Sequence, residues 1–229
     1  MKQHDHSEKL AQLTLAQKQK LKALIEQKKR SNNSHLSTLK GPLSPFQHSL
    51  WTVDQINGSS TEYNIVGAIA LEGRLDVVQL EQALLQTVKK HPVLRSAISV
   101  TNNEPYQEVK AINNVCLNRI DISTSAKQDD LEAVLTQESA YEFDLSDALK
   151  IRATLVKHAT NNHTLILCLH HIASDGWSED ILMNELIITY NALENNSKVP
   201  LPALSLQYAD YAIWQRKYFD GEVLENQLS

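Results

Sequence analysis

The sequence has few cysteines, no long apolar run and no secretory leader, and each absence limits the cellular compartments that we expect for the protein. Its 229 residues include two cysteines, Cys116 and Cys168, both in apolar, strand-like runs. Two such residues do not make a disulfide framework, so we expect a reducing compartment. A helix that spans a bilayer needs about 20 consecutive apolar residues, and the sequence contains no such run. The N-terminus is polar, and a cytoplasmic location is therefore the expectation.

Glycine placement and charge exclude two further ligand classes. No glycine-rich phosphate loop is present, so nothing indicates a nucleotide site. The net charge of −5 combines +6 in residues 1–40, with nine Lys/Arg and three Asp/Glu, and −11 in the remainder. An acidic body argues against nucleic acid as the main ligand. The composition, 42% hydrophobic and 21% charged, is that of an ordinary globular chain with enough residues for a core.

The basic segment 1–40 is predicted to be a helical leader and linker. Thr14 and Gln17 have the spacing of a capping box, and a narrow apolar stripe follows them. The segment is either a docking helix that meets a neighbouring module or a solvated leader that lies loosely on the body. A helix at a membrane surface is disfavoured, because the stripe is thin and lacks aromatic residues. The polar stretch 31–43, with its Gly-Pro pair, predicts a linker.

The main body alternates irregularly between strand and helix patterns. Strands are predicted at 63–71 (a central strand), 95–110 (two short strands around a turn), 115–122, 149–155 and 164–169. Helices are predicted from the capping signal at Asp76 to the residues before His91-Pro92, at 131–141 and at 179–193. The turn at 160–163 should return the chain as a hairpin. This order predicts an α/β (α+β) fold with a mixed β-sheet covered by helices.

The corner at residues 170–178 joins the last predicted strand to the last predicted helix. Side chains alternate along a strand, so His170 and His171 should point to opposite faces. That arrangement argues against one metal ion bound by both histidines. Asp175 and Gly176 close the turn, and the glycine indicates either a positive φ angle or a close approach of the backbone to a ligand.

The pattern His-His-x-x-x-Asp-Gly in this corner, followed by Trp177 and Ser178, resembles the core motif of nonribosomal peptide synthetase condensation domains. Other acyltransferases with the chloramphenicol-acetyltransferase fold share its outline. Further stretches resemble motifs of the same family in the same order, over roughly residues 41 to 229. They are Leu43-Ser44-Pro45-Phe46-Gln47-His48-Ser49-Leu50-Trp51 with Tyr63-Asn64-Ile65, Lys90-His91-Pro92-Val93-Leu94-Arg95-Ser96, Phe143-Asp144-Leu145, and Tyr208-Ala209-Asp210-Tyr211-Ala212-Ile213-Trp214.

The resemblance implies a fold, a reaction and partners. Residues 41–229 would form the N-terminal lobe of a condensation domain, one lobe of a chloramphenicol-acetyltransferase-like fold, with the second lobe absent. Such domains join acyl groups that carrier domains hold as thioesters on 4'-phosphopantetheine, so no cofactor or metal ion bound directly by this chain is expected. The implied partners are peptidyl or aminoacyl carrier domains, the C-terminal lobe and neighbouring synthetase modules, without nucleic acid or membrane.

The resemblance also implies a division of labour between the two histidines. His171, the second histidine, would orient the acceptor amine and accept its proton, and His170 would turn away and support the corner. A Ser-His-Asp triad built on Ser174 is disfavoured, because the sequence around Ser174 lacks the Gly-x-Ser-x-Gly elbow.

The remaining residues of the corner are expected to support the site. Asp175 is either a charge partner of the imidazole or, as we prefer, half of a structural salt bridge with Arg95. The Gly176 N–H is a candidate oxyanion donor at the start of a helix. Trp177 and Ser178 would support the corner, and the aromatic residues of the last motif, Tyr208, Tyr211 and Trp214, are expected to pack rather than to contact substrate.

The sequence also allows two alternatives to the condensation reaction. The chain could be a non-catalytic module that docks carrier domains or neighbouring modules. It could also be a related acyltransferase that uses coenzyme-A donors. Within the family, the sequence Asp175-Gly176-Trp177-Ser178 favours condensation over epimerisation, and a cyclising subtype would carry paired aspartates in place of the histidine motif.

Overall fold

The computed structural model describes residues 40–124 and 129–219, so the predicted helical leader lies outside the described residues. The elements in chain order are β1 (Lys40–Pro42), α1 (Pro45–Asn57), β2 (Asn64–Glu72), α2 (Val77–Lys90), a 3-10 helix (Pro92–Arg95), β3 (Ser96–Thr101), β4 (Glu104–Val109), β5 (Leu117–Asp121), α3 (Asp129–Ser139), β6 (Ile151–Ala159), β7 (Asn162–His170), α4 (Gly176–Glu194) and α5 (Tyr208–Tyr218).

The strands form two sheets. The larger sheet has the order β2-β7-β6-β5, in which β5 and β6 are parallel and the other pairs are antiparallel. The smaller sheet, β1-β4-β3, is antiparallel throughout. The predicted mixed sheet and the hairpin between β6 and β7 are thus confirmed. The prediction of a central strand at 63–71 is wrong: β2 is an edge strand of the described sheet, and its exposed residues alternate with half-buried ones from Gly67 onward.

The predicted linker is also wrong at its C-terminal end. Lys40–Pro42 pairs with β4, where Lys40 lies opposite Glu108 and Pro42 opposite Tyr106. Proline is compatible with this position, because an edge strand does not need every N–H for the ladder. The Lys40 ammonium also lies 3.6 Å from the centre of the Tyr106 ring, a cation–π contact between β1 and β4.

The large sheet is covered on both faces, which explains the continuous apolar run of β7. Leu165, Leu167 and Leu169 pack with α2 and α4 in the main core cluster. Ile166, which points the other way, packs with Val134 of α3. Strands buried on both faces lose the alternation of apolar and polar residues, as β7 does. The strand therefore ends at the histidine pair as a rigid, fully packed element.

The two helices beside the corner have defined ends. Asp76 caps α2 by accepting hydrogen bonds from the N–H groups of Val78 and Gln79, and α2 ends at Lys90 as predicted, with His91 as its C-cap before Pro92. Among the described residues, no helix has the length and apolar character needed to cross a membrane. The packing of α2 against α4 holds the start of α4 next to the 3-10 helix. The candidate site lies between the start of α4 and the 3-10 helix.

Candidate functional site

His170 points into the protein and supports the corner, as predicted. Its side chain is only 3% exposed and its ring lies 5.9 Å from Phe143, edge to face. Its Nδ1 accepts a hydrogen bond of 3.1 Å from the N–H of Ile172. Burial, together with the nearby charges of Lys150 and His171, lowers the pKa of His170 to about 4, so the ring is neutral at pH 7.

His171 points to the opposite face, which confirms the predicted alternation. Its Nδ1 lies 2.7 Å from the carbonyl oxygen of Ser174. A carbonyl oxygen can only accept, so Nδ1 carries a proton and, in the neutral ring, Nε2 has the free lone pair. No described residue forms a hydrogen bond with Nε2, and the ring is held edge-on by Phe46 at 5.2 Å. The imidazole is therefore fixed in the tautomer that a general base requires.

A cavity of about 250 Å³ opens beside this ring. It lies between the 3-10 helix, the histidine corner, the first turns of α4 and the start of α5. Its lining residues are Phe46, His91, Val93, Leu94, His171, Ile172, Ala173, Ser174, Asp175, Ser178, Ile181, Leu182 and Tyr208. His171 thus reaches a space that a small molecule can enter.

The corner is anchored by Gln47, a residue to which the sequence analysis assigned no role. Its Nε2 donates to the carbonyl oxygen of Ile172 at 3.1 Å, and its Oε1 accepts from the N–H of Ser44 at 3.1 Å. Ser44 and Gln47 also form the capping box of α1, and the Ser44 hydroxyl lies 3.0 Å from the hydroxyl of Tyr208. The Ser-x-x-Gln spacing is a capping-box signal that could have indicated the cap of α1, although not the bond to Ile172. Residues from separate sequence motifs thus meet around one loop.

The predicted salt bridge between Arg95 and Asp175 is wrong. The guanidinium of Arg95 donates to the carbonyl oxygens of Lys110 at 2.7 Å and Lys89 at 3.3 Å. Asp175 is instead the N-cap of α4, and its Oδ1 accepts from the N–H of Ser178 at 2.8 Å and from its hydroxyl at 2.5 Å. The unpaired N–H groups of a helix start lie three residues away, so the cap is the partner that local geometry supplies.

Asp175→Ala is expected to lower the free energy of unfolding by about 0.5–2 kcal/mol, the typical cost of losing an N-cap. The broken salt bridge expected from the sequence would have cost about 3–5 kcal/mol. Urea denaturation of the variant, with Asp175→Ser as a control that keeps a capping side chain, distinguishes the two values. A loss above the capping range that Asp175→Ser does not restore would contradict the capping role.

The hydrogen bonds to Ser178 lower the pKa of the Asp175 carboxyl, against the opposing effect of burial, which is the largest single influence. The ionised carboxylate also suits the positive end of the helix dipole. A protonated His171 ring would lower the same pKa further. Asp175 therefore fixes the start of α4 as an anion next to the imidazole.

The other residues of the corner have varied surroundings. Among the described glycines, Gly58 and Gly73 have positive φ angles and Gly176 does not. Of the two explanations given above for a glycine at position 176, the positive φ angle is therefore wrong. A Cβ at Gly176 would meet no atom within 4 Å, so the backbone there faces open space.

Ser174 contacts His171 through its backbone carbonyl, which is not triad geometry. Trp177 is 38% exposed, and its supporting role stays a prediction.

A buried lysine, Lys150, lies behind the corner. Lys150 is 1% exposed, and its ammonium donates to the carbonyl oxygen of Asp147. Burial lowers its pKa to about 8, and Asp147, Asp144 and Asp54 oppose that shift. Its backbone carbonyl accepts from the N–H of His170 at 3.1 Å, so the lysine belongs to the support of the histidine pair.

Nucleophilic and metal chemistry find little support in the described part of the chain. Cys116 and Cys168 are both free, and burial raises the pKa of the Cys168 thiol to about 12, so it does not act as a thiolate. Across residues 40–124 and 129–219, no cluster of three or more His, Cys, Asp and Glu side chains has the arrangement of a metal site. The accessible imidazole of His171 is the principal chemical group of the cavity.

Comparison with known proteins identifies the family. The condensation-domain family profile matches residues 39–229. The chain belongs to the condensation-domain family. This condensation-family chain is 35% identical over 190 residues to a linear gramicidin synthase from Brevibacillus parabrevis, and the match covers 82% of the chain but 4% of that protein.

Solved structures from peptide antibiotic biosynthesis share the fold of this chain. The X-domain from teicoplanin biosynthesis superposes with a TM-score of 0.73 at 28% identity, over 82% of this chain and 40% of that one. The first condensation domain of the calcium-dependent antibiotic synthetase, in complex with a substrate analogue, gives a TM-score of 0.74 at 22% identity, over 83% of this chain and 48% of that one. The condensation-family chain thus spans under half the length of these structures and has their chloramphenicol-acetyltransferase-like fold.

Proposed function

We propose that this chain is the N-terminal lobe of a nonribosomal peptide synthetase condensation domain. It takes part in forming an amide bond between acyl or aminoacyl groups that carrier domains hold as thioesters. The observation that carries the proposal is the geometry of His171, whose Nδ1 is fixed on the Ser174 carbonyl while its Nε2 is available beside a cavity. Because the chain spans under half of related structures, catalysis is proposed for the completed domain.

The reaction needs positioning more than it needs a strong base. An α-amine has a pKa of about 7.7–8.0, so near neutral pH roughly a tenth of it is unprotonated. Reaching the unprotonated, reactive form therefore costs about 1.4 kcal/mol. Holding amine and thioester together can supply about 7–11 kcal/mol. The role of His171 in the first step is therefore to orient the amine with its Nε2, and the fixed ring suits that role.

A base is needed to remove a proton from the amine nitrogen after that nitrogen has attacked the thioester. The amine nitrogen forms a bond to the thioester carbonyl carbon, which gives an oxyanion and a positively charged nitrogen. We assign Nε2 of His171 to accept the proton from that nitrogen and to return it to the thiolate that leaves as the carbonyl re-forms. The N–H of Gly176 at the positive end of α4 is the candidate donor to the oxyanion.

The substrates and partners follow from the same proposal. The acyl groups would arrive on the 4'-phosphopantetheine of peptidyl or aminoacyl carrier domains, which suits the relationship to gramicidin and tyrocidine synthases. The opposite wall of the site would come from a C-terminal lobe or neighbouring modules. We also infer a cytoplasmic setting for these partners.

A reconstitution experiment tests the proposal. The 229-residue chain is mixed with a separately produced C-terminal condensation lobe and with two carrier domains loaded with an acyl and an aminoacyl group. Amide product that depends on this chain and on His171 supports the proposal. Binding of carrier domains without product, in a mixture whose lobes associate, contradicts it.

A non-catalytic docking module is the second candidate. The observation that favours it is the teicoplanin X-domain, a relative of 28% identity whose structure is known as a complex with OxyB. A chain with this function would bind its partner equally well with His171 replaced. A third candidate, a coenzyme-A-dependent acyltransferase, would form product from soluble acyl-coenzyme-A without any carrier domain.

A further inference from the structure

The cavity beside His171 has mainly apolar walls. Val93 and Leu94 of the 3-10 helix line it together with Ile181 and Leu182 from the second turn of α4. Ile172 and Ala173 of the corner also line it, as does Phe46, whose ring contacts His171. An apolar side chain that enters this space would therefore exchange water for hydrocarbon on several sides.

Most polar groups of the lining already have partners inside the protein. His91 Nε2 lies 2.6 Å from Glu185, whose carboxylate also accepts from Lys90 at 2.6 Å. The Tyr208 hydroxyl is bonded to Ser44, and the Asp175 carboxylate accepts twice from Ser178. The Glu185 carboxylate is thus already paired with Lys90 and His91, and a charged ligand side chain would have to compete with existing contacts.

The cavity volume of about 250 Å³ sets the size of its ligand. An engineered cavity of about 150 Å³ lined by apolar side chains is large enough to bind benzene. A branched aliphatic or a phenyl side chain therefore fits the space beside His171. A glycine substrate would leave it empty.

We propose that this cavity is a selectivity subsite, which receives an apolar side chain of leucine to phenylalanine size from the substrate whose reacting group meets His171. The inference rests on the proposed function, and it adds the substrate class. Pockets of this kind discriminate by about 10- to 200-fold per methylene group, so side-chain size and charge should affect binding strongly.

Binding to the full 229-residue chain tests the subsite without any need for turnover. The probes are N-acetylcysteamine thioesters of leucine, phenylalanine, glycine, lysine and aspartate, titrated by nuclear magnetic resonance. Leucyl and phenylalanyl probes are expected to bind at least about tenfold more tightly than the other three. They should also shift the methyl resonances of Ile181 and Leu182.

Two matched variants on α4 make the test specific. Ile181→Trp fills the cavity and is expected to weaken leucyl binding about tenfold. Ile188→Trp is the control, because Ile188 is 38% exposed, close to the 37% of Ile181, and is not part of the lining. Both positions are on the surface of the helix, so melting temperatures should stay near that of the unmodified chain.

The possible outcomes test the subsite and the proposed function separately. Equal affinity for all five probes, or equal losses in the two variants, overturns the subsite. Selective binding that disappears in Ile181→Trp supports the subsite even if the reconstituted domain forms no amide product, a result that would contradict only the proposed function. Amide product formed without side-chain selectivity in binding overturns only the subsite.

Discussion

His171→Asn is expected to lower the rate of amide formation in the reconstituted domain about 100- to 10,000-fold, the usual range for loss of a general base. Asparagine can place an amide N–H where Nδ1 lies, so the hydrogen bond to the Ser174 carbonyl is kept. The Nε2 lone pair is lost. The fold and the corner should therefore persist while the proton acceptor disappears.

The measurement is the initial rate of product formation with saturating loaded carriers, together with the melting temperature of the chain. His158→Asn is a matched control, because His158 lies on β6 and bonds Thr164, away from the corner. The control should retain its rate. A His171→Asn variant that is folded and forms amide within a few-fold of the normal rate would show that positioning by the rest of the domain is sufficient.

The sequence allowed the corner to be predicted because its signals are local. The apolar run before residue 170 and the acidic first turn after Asp175 define a strand and a helix. Alternation along the strand then separates His170 from His171. These properties depend on backbone geometry within a few residues, and the structure confirms them: His170 is buried on one face and His171 lines the cavity on the other.

The contacts that the sequence did not reveal depend on neighbours distant in the chain. Arg95 has carbonyl partners at Lys110 and Lys89, and no local pattern predicts them. Lys150 is buried because the segment before β6 hydrogen-bonds both Leu94 and His170, which places the residue behind the corner. Similarly, periodicity shows that β2 is a strand but cannot show its position in the sheet.

The support of the corner also depends on such distant contacts. Gln47 lies 125 positions before Ile172 and bonds its carbonyl, while His170 accepts from the N–H of the same residue. Both polar groups of the Ile172 backbone are thus satisfied by side chains inside the protein. Buried backbone groups need such partners, so the loop that carries His171 is defined by hydrogen bonds rather than by regular secondary structure.

His170→Leu is expected to lower the free energy of unfolding at pH 7 by about 1–3 kcal/mol, because the buried N–H of Ile172 loses its acceptor. The deficit should shrink in acid. The unfolded histidine binds a proton below a pKa of about 6.5, whereas the folded His170 stays neutral down to a pKa of about 4. The stability contributed by the neutral ring is therefore complete above pH 6.5 and declines as the pH falls towards 4.

The pKa difference at His170 corresponds to a loss on the order of 3 kcal/mol in the unmodified chain between pH 6.5 and 4. His170→Leu lacks this titration, although it keeps the acid sensitivity of the carboxylates. Urea denaturation at several pH values should therefore show the variant less stable at pH 7 and equal to or more stable than the unmodified chain at pH 4. Stability curves that remain parallel across this range would mean that position 170 binds its proton equally in both states, and the buried, neutral role of His170 would have to be abandoned.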